Sequence, residues 1–231
     1  MDKVVLERLK TATPARIGIG RAGARYTTDA LLTFREAQAR ASDAVFEEVS
    51  QEVLLRLGVF EVRTKCRNKY EMLTRPDWGR ILETDAQEKI RLSCRKNPQV
   101  QIYFGDGLCA PAVGANIPDL YPGLKAELEY EGISVGTPFF VRYCRVNTAR
   151  IIGPLVGAEL TCVLIGERPG LLTSESMSAY MAYHAGPDMS ESDYTVVSNI
   201  SRAGFPPVEA AAYIAELMQK ILKERRSGVK K

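Results

Sequence analysis

The chain has 231 residues, one histidine, five cysteines and a formal net charge of +3. At about 150 residues per domain, this length corresponds to one or two domains with a sizeable core. A near balance of 31 basic and 28 acidic residues is not the footprint of a nucleic-acid binder, and one histidine excludes H-E-x-x-H zinc and two-histidine iron centres.

The first residues have no apolar core of a secretory signal, and no apolar run in the chain approaches the roughly 18 residues of a membrane span. Residues 1–26 lack a clear period, although Val4, Leu6 and Leu9 sketch one amphipathic turn. A helix is expected from a cap at Thr28 or Asp29, with Leu31, Phe34, Ala37, Ala41 and Val45 on one face. Val59–Val62 reads as a short strand. A second helix is expected at Thr84, where Thr84-x-x-Gln87 has the form of a capping box and Ala86, Ile90 and Cys94 recur every fourth residue. Asn97-Pro98 ends it.

After that point strands and helices alternate. Val100–Phe104 is a strand that runs into Gly105-Asp106-Gly107. A helix is expected over about 117–130, and a strand over 138–141 that ends at Tyr143-Cys144. A short helix near 151–156 precedes a third strand, 159–165. Residues 177–183 and 194–198 each read as a further strand. Pro206-Pro207 open the last helix, in which Val208, Ala211, Ala215, Met218 and Leu222 form a stripe before the basic tail over 220–231. The pattern predicts an α/β fold with a parallel sheet covered by helices on both faces. It also predicts a smaller, mainly helical N-terminal region over 1–95 and a second domain over 96–231.

Cys66, Cys94, Cys109, Cys144 and Cys162 form no C-x-x-C and no tight zinc spacing, so no metal site is expected. Their odd number and wide spread read as reduced thiols in a cytoplasmic protein, mostly small buried apolar residues. Gly18-x-Gly20-x-x-Gly23 has the letters of a dinucleotide fingerprint. That motif needs a strand before it and a helix opening inside it. Pro14 leaves only residues 15–17 for the strand, and the cap at Thr28 comes too late. The alternative is a glycine-rich turn that lets the N-terminal segment pack closely. In an open parallel sheet, ligands bind beyond the carboxyl ends of the strands. This edge would carry Gly105-Asp106-Gly107, Tyr143-Cys144-Arg145-Val146 and Gly166-Glu167-Arg168-Pro169-Gly170. Asp106 and Glu167 there read either as acceptors for an amide-bearing ligand or as solvated turn acids. Ser174, Ser176 and Ser178 have no base nearby, and no G-x-S-x-G elbow accompanies His184, so a catalytic triad is not expected. Trp78, the sole tryptophan, reads either as an interface anchor or as a packing residue.

Taken together, several strings resemble the small (light) subunit of ethanolamine ammonia-lyase. They are Gly20-Arg21-Ala22-Gly23, Leu73-Thr74-Arg75-Pro76-Asp77, Gly105-Asp106-Gly107-Leu108 and Gly136-Thr137-Pro138-Phe139-Phe140-Val141-Arg142-Tyr143. The most specific are Gly166-Glu167-Arg168-Pro169-Gly170-Leu171, Ser174-Glu175-Ser176-Met177 and Pro206-Pro207-Val208-Glu209-Ala210-Ala211, in that order. The resemblance runs from about residue 11 to 228.

It implies a subunit of an adenosylcobalamin-dependent enzyme that converts ethanolamine to acetaldehyde and ammonia by a radical route. The cofactor supplies that chemistry and the protein positions it. The resemblance also implies a Rossmann-like domain that covers the cobalamin at the interface with a large subunit, which holds most of the substrate site. No catalytic residue is then expected in this chain. Carried over by motif, the cobalamin contacts fall on Val146, Glu167 and Val196, with Asp106 and Arg168 as further helpers. Where the family has a cysteine, this sequence has Val196. Ala182, not an aspartate, stands two residues before His184, so the D-x-H-x-x-G motif is absent. The cofactor is accordingly expected to keep its own benzimidazole on cobalt. The resemblance implies a cytoplasmic enzyme, and in some relatives a longer N-terminus is linked to packing inside a bacterial microcompartment. Two other readings remain open at this point: a nucleotide-binding oxidoreductase and a non-catalytic interaction module.

Overall fold

Asp2 caps the first helix, α1 (Lys3–Ala12), by accepting the Val4 amide at 3.0 Å, yet no residue of that helix is buried. The structure is a computed structural model that describes residues 2–13 and 15–229. Pro14 and the last two residues of the basic tail, Lys230 and Lys231, lie outside the described residues. A small antiparallel hairpin follows, β1 (Arg21–Ala22) with β2 (Arg25–Tyr26). Helix α2 (Thr28–Phe46) takes Thr27 as its cap, one residue before the expected position. Its stripe is buried only in part: Ala37 is covered, whereas Leu31 and Phe34 stand exposed.

Helix α3 (Gln51–Leu57), strand β3 (Phe60–Arg63) and helix α4 (Lys69–Thr74) come next. Both helices went unread in the sequence because each is too short for a period to emerge. At α5 (Thr84–Ser93) the expected capping box is not formed. Thr84 is already helical, and Gln87 donates to the Leu82 carbonyl at 3.2 Å instead. Strand β4 (Val100–Gly105) leads to α6 (Pro111–Tyr130), which starts earlier than the expected 117. Pro118 and Pro122 weaken its local signal, but Leu120, Leu124 and Leu128 are fully buried and hold it to the core. The chain continues with β5 (Phe139–Arg142), α7 (Ala149–Val156), β6 (Leu160–Gly166), β7 (Met177–Tyr183), β8 (Thr195–Ile200) and α8 (Pro207–Glu224). In α8 the buried stripe includes Ala211, Ala215 and Met218 as expected, with Ile214 added. Val208 is 68% exposed and does not belong to it.

Six strands form one sheet in the order β3-β5-β4-β6-β7-β8. The first four are parallel, β7 runs antiparallel to β6, and β8 antiparallel to β7. The fold is α/β, but the sheet is mixed rather than wholly parallel. The physical reason lies in the connections. A parallel return needs a crossover of about a dozen residues or more, usually a helix. Residues 167–176 and 184–194 contain no α-helix, so each strand turns straight back. Strand β3 forms one edge, in register with β5 from Phe60↔Phe139 to Arg63↔Arg142.

Successive side chains of a strand point to opposite faces, and the two faces are packed separately. Phe104, Leu164 and Met181 face Leu120 and Leu124 of α6 and Ile214 and Met218 of α8. Tyr103, Val163 and Val141 face Ile90 of α5 and Ile152 of α7. Each such side chain contributes roughly 1.5–3 kcal/mol on full burial. All five cysteines are buried and free, as the sequence suggested.

Candidate functional site

The loops that follow β4 and β6 are locked together at the carboxyl edge of the parallel strands. Gly107 has φ 54°, and a Cβ there would overlap the Gly166 carbonyl. A Cβ on Gly166 would in turn overlap the carbonyls of Asp106 and Cys109. The Leu108 amide donates to the Gly166 carbonyl at 3.0 Å, and the Cys109 thiol donates to the Ser174 carbonyl. Glycine is required here because two backbones meet without room for a side chain.

Asp106 does not face a ligand. It is wholly buried, and its carboxylate accepts the amides of Cys144 at 2.8 Å and Tyr143 at 3.0 Å and the Lys69 ammonium at 3.4 Å. Burial raises its carboxyl above the ordinary 3.8, while Lys69 and the two amides pull it down. Its work is internal: it ties the end of β4 to the turn after β5, where Tyr143 has φ 57°. Beside this turn, half-buried Trp78 packs with Cys66, Met72, Tyr143 and Leu108, and the Arg75 guanidinium lies 4.3 Å from its ring centre. That is the packing alternative for this residue.

From the same turn the chain enters a short 3-10 segment, Val146–Thr148. Val146 is partly buried against the cluster that contains Tyr103, Val163 and Tyr194. Glu167 stands just past the end of β6, its amide held by the Ser176 carbonyl at 2.9 Å. Val196 lies on the edge strand β8, where it is 42% exposed.

One residue that sequence reasoning missed connects these three positions. Tyr180 on β7 is the register partner of Val196 on β8. Its hydroxyl donates to Glu167 Oε1 at 2.8 Å. Its ring meets Tyr194 edge to face, with centres 6.0 Å apart. The Tyr194 hydroxyl in turn donates to Asn147 Oδ1 at 3.4 Å, next to Val146. Burial first, and then the bond to Glu167, push the Tyr180 hydroxyl well above its ordinary value, so it stays a donor. The available signal was a tyrosine between Ala179 and Met181 in a largely apolar strand.

Other expected features lie elsewhere. His184 follows the end of β7 that pairs with Leu160, at the opposite end of β6 from Glu167. Arg168 is exposed. Gly18 packs on Leu6 of α1 and Gly23 sits in the turn of the β1–β2 hairpin. No strand precedes the glycines among the described residues, and α2 opens after them, so the dinucleotide geometry is absent. An apolar groove of about 660 Å³ runs between this segment, α2 and the loop after β6, with Ile17, Tyr26, Phe34, Leu171 and Leu172 in its walls. Among the described residues, no cluster of three or more His, Cys, Asp or Glu is placed to hold a metal. No helix there is long and apolar enough to cross a membrane.

Comparison with known proteins adds a consistent set of relatives. Residues 3–231 match the family model described as ethanolamine ammonia-lyase light chain. The chain is 49% identical over 222 residues to the ethanolamine ammonia-lyase small subunit of Clostridium tetani, covering 96% of this chain and 75% of that protein. It is 45% identical over 228 residues to the protein of the same description from Clostridium perfringens, covering 99% and 77%. The small subunit from Listeria monocytogenes is 46% identical over 222 residues, covering 96% and 76%.

Proposed function

The chain belongs to the ethanolamine ammonia-lyase light-chain family, a lyase subunit that acts within a hetero-oligomer, and from that premise we propose that its task is to bind adenosylcobalamin against a large subunit. In this reading Val146, Glu167 and Val196 contact the cofactor, in a Rossmann-like domain built on 96–231 and joined at its sheet edge by β3. The observation that carries the reading is their common setting around Tyr180. The Glu167 carboxylate bonds to Tyr180, exposed Val196 is its register partner, and half-buried Val146 adjoins Asn147, which Tyr194 links to the Tyr180 ring.

The donor set fits the group. Cobalamin presents an apolar ring system edged with amide side chains. Glu167 has one carboxylate oxygen bonded to Tyr180, and its second oxygen has no protein partner among the described residues. That oxygen would accept an amide N–H, while the valines would lie against apolar edges of the ring. When bound, the cofactor supplies the radical chemistry that converts ethanolamine to acetaldehyde and ammonia. The protein's share is to hold and orient it. His184 lies at the opposite end of β6 from Glu167.

The large subunit would complete the substrate site. A protein partner also suits the uncovered apolar side chains that line the groove, where Phe34 is 44% and Leu172 65% exposed. Cytoplasmic placement, within or outside a microcompartment, belongs to the same reading. The test is ethanolamine-dependent formation of acetaldehyde with adenosylcobalamin, with and without the large subunit. Activity is expected only with both chains. Full activity from the large subunit alone would reject the reading. Glu167→Ala is expected to weaken cobalamin binding by the assembled complex by about 1–3 kcal/mol.

A further inference from the structure

We propose that Tyr180 is a positioning residue for the cofactor contact of Glu167: it holds one carboxylate oxygen so that the other is presented to an amide of the corrinoid. The inference rests on the reading above, in which Glu167 meets the cofactor.

Three observations carry it. The hydroxyl donates at 2.8 Å to Glu167 Oε1 and to no other acceptor among the described residues. The tyrosine itself has little freedom. Its backbone is paired on both sides, with Val163 of β6 and Val196 of β8, and its ring is fixed edge-on to Tyr194. The glutamate, by contrast, follows the last residue of its strand and begins a loop without regular structure that includes Pro169 and Gly170. A free glutamate side chain samples many rotamers, and ordering it on binding costs entropy. A tyrosine anchored in the sheet removes that cost before the ligand arrives. The bond also favours a direction, because the oxygen engaged by Tyr180 leaves its partner the freer acceptor for the ligand.

The test is equilibrium binding of cyanocobalamin, an unreactive corrinoid, to the assembled complex carrying Tyr180→Phe, Glu167→Ala or both. Tyr180→Phe is expected to weaken binding about tenfold. The double variant is expected to bind no more weakly than Glu167→Ala alone, since the tyrosine acts only through the glutamate. Losses that multiply in the double variant would overturn the positioning role. So would Tyr180→Phe binding within twofold of the parent while Glu167→Ala is weakened, an outcome that leaves the reading of Glu167 standing. Unchanged binding by Glu167→Ala would remove both. If the Tyr180→Phe complex does not assemble, Tyr180→Leu removes the same hydroxyl and is held to the same outcomes.

Discussion

Lys69 and Asp106 form a buried ion pair 3.4 Å apart, joining α4 to the end of β4 across 37 residues of sequence. Both side chains are almost entirely enclosed, and Lys69 also donates to the Gly107 carbonyl at 3.0 Å. The carboxylate needs the cation because a lone buried charge is costly. Lys69→Met is therefore expected to destabilise the protein by about 3–5 kcal/mol. Urea unfolding of the assembled complex measures this, and a midpoint equal to the parent's would refute it.

A second pair sets a pH dependence. Arg142 grips Glu61 with two hydrogen bonds, Nε to Oε1 at 2.6 Å and Nη2 to Oε2 at 2.7 Å. Burial alone would raise the Glu61 carboxyl, but the hydrogen bonds and charge of Arg142 outweigh it and hold the group below its ordinary 4.5. A carboxyl lowered in the fold contributes stability above its unfolded value and loses it as pH falls through the folded one. The stability gap between parent and Glu61→Gln should thus be widest near neutrality and begin to narrow as pH falls below about 4.5. Unfolding midpoints at pH 7 and pH 4 decide the matter; a gap that widens in acid would contradict it.

Gly166 has no space for a side chain between the carbonyls of Asp106 and Cys109. Gly166→Ala must push the loop that carries Glu167 away from the β4 turn. The expected cost is about 1–3 kcal/mol. Limited proteolysis should then cut residues 167–176 faster than in the parent. Equal cleavage rates would mean that the contact of the two loops is not what orders this segment.

The thiols should be silent in the folded state. All five are buried, and burial pushes Cys94 and Cys109 up to about 11. A thiol reagent at pH 8 is expected to label none of them within minutes in the native protein, and all five once denaturant is added. Rapid labelling of one native cysteine would identify an opening that the fold does not show.

Much of this was legible before the fold. The strands over 100–105 and 160–166 announce themselves as mostly apolar runs ended by glycine, with Gln101 and Thr161 as polar exceptions, because a strand buried on both faces is largely apolar. Glu167, Val146 and Val196 stand as the proposed cofactor contacts by motif resemblance, and the first two also by their places after strands. The short helices α3 and α4 were hidden, since six or seven residues carry no period. The N-terminal stripe misled in part. Leu31 and Phe34 have the spacing of core residues but stand exposed, because periodicity reports an apolar face and not what covers it.

Asp106 and Tyr180 mark the boundary between the two kinds of knowledge. Turn chemistry placed Asp106 at a strand end, yet only the packed chain shows its carboxylate turned inward to Lys69 and the Tyr143–Cys144 amides. The sequence by itself determined the family, the strand runs and the residue types at their ends, all of which depend on short-range pattern. The tertiary structure alone decided the mixed sheet and the meeting of Tyr180 with Glu167 and Val196. Those depend on hairpin register, and register is set when whole strands pair and bury a face together, not by any short stretch of residues.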